Sequence, residues 1–84
     1  MKMTNIEKGL KAIKDSGYEV NDLELTVWDT DEGTVRVREN YCNSAFYFDI
    51  NNKYDHICDT KDEAIAYLGG INARFIGWDS ENYW

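Results

Sequence analysis

Proline is absent from this chain of 84 residues, histidine occurs once and cysteine twice. Without proline, no position carries the locked backbone angle or the missing N–H that punctuates most loops. Turns must then be built from glycine, asparagine and aspartate. Two cysteines are too few for a disulfide framework. The set Cys42, His56 and Cys58 offers three soft ligands at irregular spacing, where a structural zinc site needs four. No cofactor is expected. No apolar run approaches the ~18 residues of a membrane span, and Met1 to Asn5 lacks the apolar stretch of a signal peptide. These absences predict a cytoplasmic protein with reduced thiols and no membrane partner. Basic residues are also scarce: nine Lys and Arg stand against 16 Asp and Glu, a net charge of −7. The basic stripe of a direct nucleic-acid binder is therefore missing.

What is present points to one folded domain spanning residues 1–84, large enough for a single modest core. Aromatic residues make up 14% of the chain, which argues against disorder. The organising stretch is Leu23 to Cys58, read as about four short strands in an antiparallel meander. Leu23, Leu25 and Val27 alternate with Glu24, Thr26 and Trp28, the period of a half-buried strand. Asp29 to Gly33 is turn chemistry, and Thr34 to Arg38 alternates again. A five-residue loop predicts Val27 opposite Val35, Leu25 opposite Val37, and Glu24 opposite Arg38. That last pair is worth ~0.2–1 kcal/mol as a cross-strand ion pair. Asn40 to Ser44 forms the next loop, Ala45 to Ile50 an aromatic strand, Asn51 to Lys53 a tight turn, and Tyr54 to Cys58 the return. A one-residue slip in that last turn moves His56 and Cys58 between faces, so their face stays open.

Helices flank the meander. Thr4 and Glu7 have capping-box spacing. Ile6, Leu10 and Ile13 form one apolar stripe, Lys8, Lys11 and Lys14 fall on the solvent side, and Gly17 ends the helix. Packed on the aliphatic face of the meander, the three aliphatics contribute ~1.5–3 kcal/mol each before entropy. Thr60 and Glu63 begin a second helix of about two turns, which carries Ala64, Ile65 and Leu68 inward and stops at Gly69 and Gly70. Ile71 to Trp78 reads as a fifth strand or an extended docking segment. The fold class is thus α+β, with an N-terminal helix and a shorter C-terminal helix on one face of the sheet. An aromatic, acidic tail follows at about 77–84.

Catalytic chemistry is not indicated. His56 and Cys58 lie two residues apart on one strand, with no third group to orient them. Asp29 to Gly33 lacks the third ligand of a calcium loop, and its glycine comes one place early. The expectation is a binding protein rather than an enzyme.

Charge distribution says more. Lys2, Lys8, Lys11 and Lys14 outnumber Glu7 and Asp15 around the first helix, leaving about −9 on the rest. From Glu19 to Glu32 there are six acids (Glu19, Asp22, Glu24, Asp29, Asp31 and Glu32) and no base. A second acidic run holds Asp55, Asp59, Asp62 and Glu63. Aromatics sit among the acids: Trp28 beside Asp29, Trp78 beside Asp79, and Tyr83 and Trp84 beside Glu81. Such a surface attracts basic protein surfaces, and tryptophan and tyrosine are favoured interface anchors.

A short, acidic, aromatic-rich, proline-free chain of this kind resembles, in type rather than in motif, the small phage-encoded inhibitors of bacterial defence, the anti-CRISPR and antirestriction proteins. The resemblance covers composition along the whole chain and the acidic run from Glu19 to Glu32. It implies action in the host cytoplasm on a basic, nucleic-acid-binding protein, whose substrate groove the acids occlude in place of phosphates. The predicted partner-binding residues are Glu19, Asp22, Glu24, Trp28, Asp29, Asp31, Glu32, Trp78, Asp79, Glu81, Tyr83 and Trp84. The four lysines depart from a uniform mimic and suggest a two-sided molecule. The rival reading is a small interaction or assembly module, a homodimer through its edge strand or the Trp84 tail.

Overall fold

A computed structural model describes residues 2–16, 23, 25–40 and 45–78. The elements are α1 (Asn5–Asp15), β1 (Thr26–Thr30), β2 (Gly33–Asn40), β3 (Ala45–Ile50), β4 (Lys53–Cys58), α2 (Lys61–Gly70) and β5 (Arg74–Trp78). The strands form one antiparallel sheet in the order β4-β3-β2-β1-β5. The expected meander of about four strands is thus five, because Ile71 to Trp78 turns back to pair its last five residues with β1. Both helices pack against the core cluster on one face of the sheet. No helix among the described residues is long and apolar enough to cross a membrane.

The first hairpin differs from its expected register. Asp29 and Thr30 stay in β1, and only Asp31 and Glu32 turn. Gly33 closes the turn at φ 118°, a conformation costly for any residue with a β-carbon. The loop contains two residues rather than five, so Val27 faces Arg36 and Trp28 faces Val35. An odd shift exchanges the two faces of a strand. Trp28, Val35 and Val37 are all fully buried, while Val27 is half-buried on the outer face beside Arg36. Leu25 does not continue the alternation. It sits at φ 65°, an uncommon conformation for a leucine, and its N–H donates to the Val37 carbonyl at 2.8 Å. That break in the backbone lets Leu23 and Thr26 both enter the core.

A buried polar chain fixes this arrangement. The Trp28 indole N–H donates to Thr26 Oγ1 at 2.9 Å. The Thr26 hydroxyl in turn donates to the Leu23 carbonyl at 2.5 Å, which also accepts the Thr26 N–H at 3.2 Å. The Trp28 indole N–H and the Thr26 hydroxyl thus both have partners, as a dry core requires.

The second hairpin follows the expected strands. Asn51 and Asn52, at φ 52° and 69°, make a two-residue turn of the type whose twist suits a hairpin. Lys53 therefore begins β4 rather than ending the turn. Phe46 then faces Cys58 and Phe48 faces His56, across a bulge at Phe48 and Asp49. This places His56 and Cys58 on the inner face. Phe48 packs edge-on against Tyr67 of α2 at 4.8 Å, and His56 stacks flat on the same ring at 4.0 Å.

Helix α1 is capped as its spacing implies: the Glu7 N–H donates to Thr4 Oγ1 at 3.2 Å, and the Thr4 N–H to Glu7 Oε1 at 2.9 Å. Its packing is different. Leu10 is 51% exposed, and the buried centre of the helix is Gly9, flanked by Ile6, Ala12 and Ile13. The helix is rotated away from the 6-10-13 stripe because it lies chiefly on α2 rather than on the sheet. Gly9 and Gly69 make that crossing. A β-carbon on Gly69 would overlap the Asn5 carbonyl oxygen, and one on Gly9 would fall 2.7 Å from the Ile65 Cγ2 methyl. Neither Gly69 nor Gly70 stops α2, which runs through both for ten residues. The stop comes from Asn72 at φ 54°. The Ala73 N–H donates to the Leu68 carbonyl at 3.0 Å and the Asn72 N–H to the Gly69 carbonyl at 3.3 Å, a Schellman closure with asparagine in the left-handed position. Gly17, the expected stop of α1, lies outside the described residues.

Two substitutions test this packing by urea unfolding. In an ordinary helix interior Gly→Ala stabilises by ~0.8–1 kcal/mol. Gly69→Ala is expected to destabilise by ~1–3 kcal/mol instead, through overpacking against backbone. Thr26→Val keeps the shape but strands the Trp28 indole N–H, at an expected cost of ~1–3 kcal/mol.

Candidate interaction surface

Seven of the twelve predicted partner-binding residues (Glu19, Asp22, Glu24, Asp79, Glu81, Tyr83 and Trp84) lie outside the described residues, as does Cys42. The Glu24–Arg38 pair therefore falls outside as well; Arg38 meets Asp49 of the neighbouring strand at 3.4 Å. Of the five that are described, Trp28 is fully buried. It belongs to the core and is removed from the surface set, for the register reason given above.

Asp29, Asp31 and Glu32 crowd the tip of the first hairpin, all three exposed. They are held differently. The Asp29 carboxylate pairs with the Arg74 guanidinium at 2.8 Å, across β1 and β5. Asp31 bridges to the end of α2: its N–H donates to the Ile71 carbonyl at 2.9 Å, and its carboxylate accepts from Asn72 Nδ2 at 2.5 Å. Glu32 is tied down only by its backbone, with its N–H on Thr30 Oγ1 at 3.0 Å and its carbonyl accepting from Asn51 Nδ2 at 3.4 Å. Two of the three acids thus lock the hairpin to α2 and β5, and the third projects its charge.

Trp78 ends β5 opposite Thr26 and is 47% exposed. Its ring packs edge-on against Phe75 at 4.8 Å, and Phe75 against Trp28 at 5.3 Å. One edge of the indole is thereby anchored to the core through a row of rings, and the other is presented. Ile76, 54% exposed, lies between them in sequence. Arg74 pairs with the hairpin-tip strand residue Asp29, whereas Trp78 lies four residues further along β5, or ~13 Å at ordinary strand rise. The acids and the aromatic anchor therefore lie toward opposite ends of the β1–β5 strand pair. Asp59, Asp62 and Glu63 are exposed where β4 passes into α2, at the end of the sheet away from that tip. Sequence reasoning missed Asn72 and Arg74. The signal was an asparagine two residues past a Gly-Gly pair, which reads as a helix end in the left-handed conformation.

The outer face of the sheet, which neither helix covers, carries Arg36 and Arg38. Arg36 Nη1 donates to Asn52 Oδ1 at 2.7 Å, and Arg38 shares its face with Asp49 and Tyr47. Among the described residues no three His, Cys, Asp or Glu side chains come together as a metal site. Cys58 is buried, and its thiol is pushed up to about 11 by burial and then by the charges of Glu63 and Asp59. A thiol in that state is not a nucleophile at neutral pH. His56 stacks on Tyr67, as described. No protein-family model, curated protein or solved structure matches this chain.

Cys58 gives a direct check on this geometry. In the native protein at pH 7 it is expected to react with a thiol reagent only as fast as the protein opens, and to react freely in urea. The linkage follows in sign. The thiol ionises near 9.0 when unexceptional and near 11 here, so the unfolded chain loses its proton first. Stability is expected to fall as pH rises between those values, and Cys58→Ala should remove that part of the fall.

Proposed function

We propose that this chain is a non-catalytic acidic binding protein that inhibits a nucleic-acid-handling protein, such as a CRISPR effector or nuclease, by covering its basic substrate groove. The observation that carries the reading is the pairing of a net charge of −7 with exposed acids at the tip of the β1–β2 hairpin and half-exposed Trp78 at the end of the neighbouring strand β5. Carboxylates there stand in for phosphate oxygens and steer the approach of a basic partner. The indole supplies a desolvated anchor. Asp29 and Asp31 hold the edge rigid through Arg74 and Asn72, so Glu32 presents its charge from a fixed frame. The acidic run of Glu19, Asp22 and Glu24 and the tail of Asp79, Glu81, Tyr83 and Trp84 extend the same chemistry. The setting of such an inhibitor is the cytoplasm of the host cell. Half-exposed Ile76 and Trp78 on an edge strand favour one second reading, a small assembly module that pairs with itself.

Tagged protein passed through a bacterial lysate separates the two. A nucleic-acid-binding protein should be captured at low salt and released as ionic strength rises, with at least ~10-fold loss between 50 mM and 500 mM salt. Glu24→Lys with Glu32→Lys should abolish capture and inhibition by reversing two acids of the run; Glu32 bonds through its backbone, outside the Asp29 and Asp31 lock. Capture and inhibition that survive both high salt and the double reversal contradict occlusion by charge. A salt-resistant dimer with no captured protein would support the assembly reading.

A further inference from the structure

We propose that the outward face of α1 is a self-association surface, on which a second copy of this chain packs its own α1, antiparallel and about a two-fold axis beside Leu10. The inference does not rest on the inhibitory reading and uses none of its residues. Leu10 is 51% exposed and stands outside the core cluster, against which Ile6 and Ile13 are half-buried. The close crossing at Gly9 and Gly69 turns it outward. An α-helix turns about 100° and rises about 1.5 Å per residue. Around Leu10 that spacing is symmetrical. Ile6 and Ile13 lie about 40–60° to one side, one about 6 Å toward the N-terminus and the other about 4.5 Å toward the C-terminus. Glu7 and Lys14 lie about 40–60° to the other side, at about the same heights, 4.5 and 6 Å, in reverse.

That symmetry selects the occupant. A two-fold axis lying across two facing helices reverses their direction and makes the surface its own complement. Leu10 then meets Leu10 of the second copy, Ile6 meets Ile13, and Glu7 meets Lys14, the last two contacts each made twice. Glu7 and Lys14 are both exposed. Glu7 Oε1 accepts the Thr4 N–H at 2.9 Å, and its second oxygen is left for the incoming ammonium. The Thr4 bonds also hold the carboxyl below its usual range, so it is ionised at neutral pH. Parallel helices would set Glu7 against Glu7 and Lys14 against Lys14, so the charges permit the antiparallel order alone. Lys11, at the rim, is paired with its own Asp15 at 2.6 Å, which offsets its approach to the other Lys11. The 11 residues of α1 span about 16 Å, so the contact falls below the ~800 Å² per partner of a standard interface. The dimer is accordingly weak, with a Kd on the order of 0.1 mM.

The test is sedimentation equilibrium of the full chain from ~10 μM to ~1 mM, in ~150 mM salt to screen the net charge of each copy. The mass should rise with concentration from 9.8 kDa toward twice that value. Leu10→Glu should weaken the dimer at least ~10-fold and Lys14→Glu at least ~3-fold, both with unchanged circular dichroism. Ile76→Glu, at an exposed position of β5, should leave it as it is. A residue beside the two-fold axis lies against its own copy. Leu10→Cys in a Cys42→Ser background should therefore give a disulfide-linked dimer on mild oxidation, while Lys8→Cys, on the β5 side of α1, should not. Four results would overturn the proposal: a mass of 9.8 kDa at every concentration, a dimer that survives Leu10→Glu, equal cross-linking by Lys8→Cys and Leu10→Cys, or a dimer lost on Ile76→Glu alone. The last would place self-association on the sheet edge instead.

Discussion

The β1–β2 hairpin turns over two residues, and that count decides which half of β1 enters the core. Side chains alternate with period two along a strand, so the turn length acts as a parity switch. With Asp31 and Glu32 alone in the turn, Trp28 and Thr26 point inward, and Trp28, the largest fully buried side chain among the described residues, fills the space under the helices. The rest follows from that choice. The ring of Phe75 meets Trp28 edge-on, which seats β5, and Trp78 in turn rests on Phe75. The outer face is left to Arg36, Arg38, Tyr47 and Asp49.

The helices solve a different constraint. A sheet of five strands presents more inner surface than one helix covers, and α1 extends that cover while lying chiefly on α2. Gly9 and Gly69 remove both β-carbons from their crossing and let backbone approach backbone. The close approach turns α1 on its axis, which explains why Leu10 is exposed and why Lys8 and Lys11 border β5. The same rotation sets Lys8, Lys11 and Asp15 beside Arg74. A glycine chosen for packing thus sets where charge appears on the surface.

Much of the secondary structure was legible because its signals are local. Both threonine caps and the aromatic strand Ala45 to Ile50 follow from spacing alone. The errors share one cause: each depended on a partner distant in sequence. Asp29 reads as turn chemistry until Arg74, 45 positions later, holds it in a strand. Gly69 reads as a stop until Gly9 shows why a small residue is needed there. The apolar stripe of α1 was found, but its centre depends on whether the neighbour is a sheet or another helix. Of the candidate surface, Asp29, Asp31, Glu32 and Trp78 are exposed as their residue types imply. Trp28 is not, because an alternating pattern with an apolar residue on each side fits either parity.

The burial of Trp28 is the claim on which the account stands, and single-tryptophan fluorescence tests it most directly. Trp78→Phe with Trp84→Phe leaves Trp28 as the only indole. The account predicts blue-shifted emission, strong resistance to acrylamide quenching, and an indole N–H that exchanges only as slowly as the core opens. Emission and quenching like those of free tryptophan in water, in a chain whose circular dichroism is unchanged, would place Trp28 on the surface and contradict the register from which the sheet and its hairpin tip are built.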